Sequence, residues 1–221
     1  MAIQTNFIEE VSDQIAFTIR DSHQVMAQNK LTPQEVVNLC GGIPLLDISS
    51  ISVCISSEYQ AALSVQVETD QYEVSRIIDF DLLRIDNQIM VVEEEAQGKH
   101  IGTHLFINQI RAARARQLEK LHTIAMAPSL YDEEGMDWSG YYFWAELGFQ
   151  NSEPELYTQW ALENNRPEPT LSECMQTEAG RQAWRNTGFS WIGDFFLAQD
   201  HLCTYYLKRH LKRKRIEVDL K

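Results

Sequence analysis

The residues best placed to do chemistry lie between Asp86 and Thr103. An apolar run, Ile89 to Val92, leads through Glu93, Glu94 and Glu95 into Gln97-Gly98-Lys99-His100-Ile101-Gly102-Thr103. Leu105, Phe106, Ile110 and Ala113 then recur mostly at three- and four-residue steps, the spacing of a helix. The stretch therefore reads as strand, tight turn and helix. The first amides of a helix lack intrahelical acceptors, and the aligned peptide dipoles leave partial positive charge there, so an anion is suited to this turn. Gly98 and Gly102 let a diphosphate approach the backbone, and Lys99 adds a full positive charge.

A second stretch, Ser139-Gly-Tyr-Tyr-Phe-Trp-Ala-Glu-Leu-Gly-Phe149, predicts a short aromatic helix from Tyr141 to Leu147, a glycine C-cap at Gly148 and a strand opening at Phe149. Together the two stretches resemble the GNAT superfamily of N-acetyltransferases. In that family a Gln/Arg-x-x-Gly-x-Gly/Ala loop cradles the pyrophosphate of acyl-coenzyme A, and a later helix ends in aromatic-x-x-Leu-Gly-Phe. Gln97, Gly98, Lys99, Ile101 and Gly102 fit the first pattern, and Leu147, Gly148 and Phe149 the second. The resemblance covers about residues 50–150. Two positions depart from it: His100 stands where the family usually has its first loop glycine, and Trp144 where many members place a tyrosine that protonates the leaving thiolate.

The resemblance implies an α+β fold with a mixed, mostly antiparallel central sheet flanked by helices. It implies acetyl-coenzyme A or a longer acyl-coenzyme A as co-substrate, with Gln97 to Thr103 around the diphosphate, the Val92 backbone amide on the thioester carbonyl, and no metal. The expected activity is acyl transfer to a primary amine, on a small molecule or as a lysine-type amine of a peptide or protein. The alternative is a catalytically degenerate module of the same fold that binds coenzyme A or a protein partner, motivated by His100 and Trp144.

Acyl transfer needs a neutral amine, stabilisation of an oxyanion and a proton for the departing thiolate. A carboxylate near the strand before the turn suits the base. Asp86 is one candidate, since the histone acetyltransferase branch carries its glutamate base there when laid against this sequence without gaps. Glu94, nearer the loop, is the other. For the acid, Tyr141 precedes Trp144 by about one helical turn and would share its face.

The elements that must hold these residues follow from periodicity. Residues 5–29 show helical apolar spacing through Phe7, Ile8, Val11, Ile15, Ile19, His23 and Met26, predicting one helix or a broken pair. Thr32-Pro33-Gln34-Glu35 predicts a capped helix to about Leu39, closed by Gly41-Gly42. From Ile51 the period is two, through Ile51 to Ile55, Ala62 to Val67 and, less cleanly, Val74 to Ile85, an antiparallel meander. Leu121 to Met126 reads as the strand after the turn-bearing helix, which makes that helix a crossover between neighbouring, roughly parallel strands. Residues 127–139 read as a loop able to line an acceptor pocket. Beyond Gln150 the pattern predicts helices over 154–165 and 171–187, an extended segment from Phe189 to Leu197, and a helix opened by Asp200. With no Pro/Gly/Ser linker, the expectation is one domain over 1–221: N-terminal helices (1–44), an acyl-coenzyme A core (45–150) and a helical C-terminal elaboration (151–221).

Composition bounds the partners. The 221 residues carry a formal charge of −13, and seven of the 19 Lys/Arg fall in residues 208–221. The remaining body is strongly anionic, which disfavours nucleic acid and favours a cationic acceptor. The basic end reads as a solvated helix terminus or as a contact to acidic surface, including that of a second subunit in a homodimer. No apolar run is long enough to span a bilayer, and Met1 to Gln14 lacks the order of a secretory signal, so the expected location is cytoplasmic. Cys40, Cys54, Cys174 and Cys203 show no ligand spacing and read as reduced core thiols.

Overall fold

The computed structural model describes residues 15–43, 50–59, 61–127 and 139–220. They form two compact units, residues 1–121 with 218–221, and residues 122–217. Both combine strands with helices, so the chain is α+β.

The first unit begins with β1 (Ile15–Arg20), α1 (Val25–Gln28) and α2 (Pro33–Leu39). The strand corrects the expected helix over 5–29; the earlier part of that stretch lies outside the described residues. Ile15, Phe17 and Ile19 also satisfy a period of two, and their backbone pairs in parallel with the next strand, which outweighs the helical spacing. Asp21 closes the strand, its carboxylate accepting from the Val25 and Met26 amides at 2.8 Å each. The predicted capping box of α2 is formed: the Thr32 hydroxyl accepts from the Glu35 amide at 3.2 Å and the Glu35 carboxylate from the Thr32 amide at 2.8 Å.

The meander follows as β2 (Ile51–Tyr59), β3 (Ala62–Thr69), β4 (Tyr72–Asp79) and β5 (Arg84–Val92), each antiparallel to the one before. With β1 parallel to β2, the sheet is mixed and mostly antiparallel, in the order β1-β2-β3-β4-β5. Val53, Ile55, Val65, Val67, Tyr72, Val74, Ile78 and Ile85 are buried in it. A 3-10 turn at Glu94–Ala96 then leads to α3 (Ile101–Ala115), the predicted turn-bearing helix.

Helix α3 is tied to α2 and the turns that flank it at two places. Near its start, Gly41 lies so close that a Cβ there would meet the Leu105 carbonyl oxygen at 2.7 Å. At its end, Arg116 donates to the Asn29 and Lys30 carbonyls at 3.3 Å each and pairs with the Glu35 carboxylate. The last residues of the chain also belong to this unit, with Arg111 donating to the Asp219 carbonyl at 2.7 Å and Arg114 to that of Leu220.

The strand β6 (Lys120–Ala125) crosses the division between the units. The second unit continues with α4 (Gly140–Glu146), β7 (Gln150–Asn151), α5 (Pro154–Glu163), α6 (Leu171–Cys174), α7 (Glu178–Thr187), β8 (Trp191–Phe196) and α8 (Leu202–Lys214). Strand order is β6-β8-β7, with β7 and β8 antiparallel. The helix expected over 171–187 is divided, because the Thr177 hydroxyl caps a new start by accepting from Gly180 N–H at 2.9 Å. Likewise His201, not Asp200, caps α8 through Nδ1, 3.2 Å from the Cys203 amide. The core is aromatic: Trp184 and Trp191 both donate to the Tyr141 carbonyl, at 3.1 and 2.9 Å, and Trp160 meets Trp184 edge-on at 4.8 Å. The basic end of α8 is partly neutralised within the unit, with Arg213 donating to the buried Glu146 carboxylate at 2.9 Å.

Among the described residues no helix is long and apolar enough to cross a membrane. The four cysteines carry free thiols, and Cys40, Cys174 and Cys203 are buried. Gly41 sits at φ +117° against backbone, where neither a side chain nor a shift of its neighbour is easily accommodated. Gly41→Ala is expected to destabilise the protein by about 2–3 kcal/mol, lowering the thermal midpoint by about 5–10 °C. An unchanged midpoint in calorimetric melting would show that α2 and α3 tolerate separation.

Candidate functional site

The turn between β5 and α3 is built from its backbone upward. Strand β5 ends at Val92, and the Gln97 side-chain amide reaches back to the Val92 carbonyl at 3.3 Å. The chain then passes through Gly98 at φ +78° and His100 at φ +60°, ψ +23°, both left-handed. His100 thus takes a conformation that glycine adopts without strain, at a cost of about 1–2 kcal/mol for an L side chain. This is the position where the resemblance expected glycine.

Helix α3 starts without a capping side chain and with no acid in its first turn. The amides of Ile101, Gly102 and Thr103 precede the first bond that this helix can close, which runs from His104 N–H to the His100 carbonyl at 3.0 Å. Gln97, Gly98 and Lys99 are exposed beside them, whereas Ile101, Gly102 and Thr103 are buried. A Cβ on Gly98 would meet nothing within 4 Å. The space beside Gly98 is therefore open, while the start of α3 is covered. This arrangement offers backbone donors, one mobile ammonium and room for an anionic group.

The candidate bases lie at opposite ends of β5. Asp86 is near its start, buried, and held by Arg84: Nη2 donates to one carboxylate oxygen at 3.0 Å, while Nε contacts the other at 2.9 Å as an ion pair without hydrogen-bond geometry. Glu94 follows its end and is exposed. The six residue steps from Asp86 to Val92 amount to about 20 Å of strand. The two acids therefore cannot serve one reacting atom together, and Asp86 would have to loosen its guanidinium to accept a proton. Val92 marks the boundary between strand and turn.

Tyr141 lies in the second unit, on α4. Its hydroxyl donates to the Arg185 carbonyl at 2.6 Å, and the side chain is buried. Trp144, one turn on, is buried between Phe143 and Phe149, with ring centroids at 5.1 Å from each. Tyr142 is half-buried beneath the Arg185 guanidinium, 4.4 Å from its ring centre, and burial together with Glu146 pushes its phenol up. The phenols of α4 are engaged by their own unit. The loop 127–139, expected to line an acceptor pocket, lies mostly outside the described residues.

Two sites were not singled out from sequence. In the second unit His122 Nδ1 lies 2.9 Å from Asp194, whose other oxygen is 3.5 Å from the Ser152 hydroxyl. The partners are 72 residues apart on β6 and β8, and no local spacing signals them. In the first unit Arg76 is 2 % exposed on β4. Its signal was available, because the alternation of Val74 and Ile78 places residue 76 on the inward face. Among the described residues no group of three or more His, Cys, Asp or Glu is arranged to hold a metal.

The sequence matches no protein-family model, and comparisons with curated proteins and with solved structures find no similar chain.

Helix α3 also carries a buried titratable group. Burial holds the His104 imidazole below its ordinary value, and His100 and Arg111 add to the effect. Below about pH 6.5 the unfolded chain therefore binds a proton that the folded chain resists. This contribution to stability is complete above that pH and is lost progressively on acidification, until the depressed folded value is reached. Urea unfolding from about pH 7 to pH 5 should show stability falling with pH, less steeply in His104→Gln. Equal slopes for the two proteins would remove His104 as a contributor.

Proposed function

We propose that this chain is an acyl-coenzyme A-dependent N-acyltransferase of GNAT-like fold, transferring an acyl group to a primary amine. The observation that carries the reading is the turn from Gln97 to Gly102. It follows a strand, passes through left-handed Gly98 and His100, and opens on an uncapped α3 with nothing above Gly98. A diphosphate there would accept from the Ile101, Gly102 and Thr103 amides and meet Lys99.

The pantetheine arm of the donor separates its thioester from the diphosphate, so the reacting carbon would lie away from the turn. The neutral amine attacks the thioester carbonyl, and a backbone amide such as that of Val92 steadies the oxyanion. The carbon–sulfur bond then breaks, and the thiolate takes up the proton that the attacking nitrogen sheds as it becomes an amide. Before attack the ammonium gives its proton to a carboxylate, Asp86 or Glu94, directly or through water. The anionic body of the chain supports a cationic acceptor, a small amine or the lysine-type amine of a peptide or protein.

A second reading, binding of coenzyme A or a partner without turnover, is favoured by one observation. Tyr141 commits its hydroxyl to a carbonyl, and Trp144 takes the place where many of the resembled enzymes have a tyrosine. Turnover decides between the two readings.

Calorimetric titration with acetyl-coenzyme A and longer acyl-coenzyme A thioesters is expected to show binding, and a panel of amines and basic peptides to release thiol. Gly98→Ala should cost about 1–2 kcal/mol of stability, the strain of an L side chain at φ +78° with no clash added, and weaken donor binding by about tenfold or more. Binding without thiol release from any acceptor would favour the second reading. Unchanged donor affinity in Gly98→Ala would move the donor away from this turn.

A further inference from the structure

The ladder between β4 and β5 slips by one residue. Arg76 pairs with Asn87, but its neighbour Ser75 pairs with Ile89, which leaves Gln88 without an opposite number. The slip reverses which residues face inward. On β4 the inward residues are Tyr72, Val74, Arg76 and Ile78. Opposite them stand Ile85 and Asn87 before the slip, then Met90 and Val92 after it. In an unbroken ladder Ile89 and Val91 would take those places, and the peptides around Val92 would point the other way.

Arg76 straddles the slip. One terminal nitrogen donates to the Ser75 carbonyl at 2.8 Å and also to that of Ile89, the register partner of Ser75. The side chain is buried, yet no carboxylate pairs with it among the described residues, and its Nε has no partner. The neighbouring Cys40 supplies no anion, because burial pushes its thiol up to about 12. A buried cation without a counter-ion is a cost that ion pairing does not offset. Its two carbonyl bonds at the slip are what its position accomplishes.

We propose that Arg76 is a positioning residue for the turn after β5: it holds the slip, and the slip sets the direction of the Val92 peptide to which the Gln97 side chain is bound. This deepens the proposed function and rests on it for the identity of the ligand, but not for the effect on the turn.

The test compares wild type with Arg76→Met and Arg76→Lys by amide hydrogen exchange without ligand, and by calorimetric titration with acetyl-coenzyme A. In Arg76→Met, amides from Ile89 to Gly102 should exchange about tenfold faster or more, while those of β2 and β3 hold. Donor affinity should fall by about tenfold or more through misplacement alone. Lysine retains a donor for the Ile89 carbonyl and should restore part of both. If Arg76→Met does not fold, the lysine variant is compared with wild type alone, and exchange in the turn should still rise over its wild-type rate by a larger factor than in β2 and β3. Exchange that rises evenly through the unit, or leaves Ile89 to Gly102 untouched, overturns the proposal. If wild type does not bind the thioester while the turn responds to Arg76, the positioning role stands and the acyltransferase reading falls.

Discussion

The one-residue slip between β4 and β5 is the constraint on which the first unit depends. A strand has two faces, and a single extra residue decides which side chains meet the helices and which peptides point at a neighbouring strand. Here the decision is taken at Gln88, four residues before β5 ends and the turn begins. Everything downstream inherits it: the inward placement of Val92, the reach of Gln97 back to its carbonyl, and the point at which α3 starts. Helix α3 is independently fixed from the other side, by contact with Gly41 and by Arg116. The turn is thus defined by two anchored elements, with Gly98 and His100 absorbing the change of direction between them.

Much of this was legible where one local signal ruled. Thr32-Pro33-Gln34-Glu35 gave a capped helix because its hydrogen bonds close within four residues. The strands from Ile51 onward followed their alternation, and α3 its helical spacing. The first strand was not legible, since Ile15 and Ile19 fit both periods and only pairing with β2 decides between them. The slip was equally hidden, being a property of two strands rather than of either. Arg76 was open to discovery as a charge on an inward position, but what it binds was not.

The candidate site was legible as a backbone shape more than as a set of reacting groups. Gly98 and the start of α3 stand where the motif placed them. The acids and phenols were assigned by type and spacing, and their state depends on partners distant in sequence. Asp86 is held by Arg84, two residues away on the same strand face, while Tyr141 is held by Arg185, 44 residues on. The second unit also has a demand of its own on Tyr141, whose carbonyl accepts from two tryptophans. A residue fixed at both its carbonyl and its hydroxyl is first of all a keystone of that aromatic core.

The last described residues bear on how the first unit is assembled. Arg111 and Arg114 on α3 bind carbonyls 108 and 106 positions further along the chain, after the whole of the second unit has intervened. A nascent chain that has completed α3 cannot make these two contacts until residues 218–220 arrive. The first unit is therefore interrupted in sequence although it is compact in space, and its final contacts carry the loop-closure entropy of a long excursion. Such contacts raise contact order and slow the last step of assembly. The helix that begins at the candidate site is among the last elements to be fully secured.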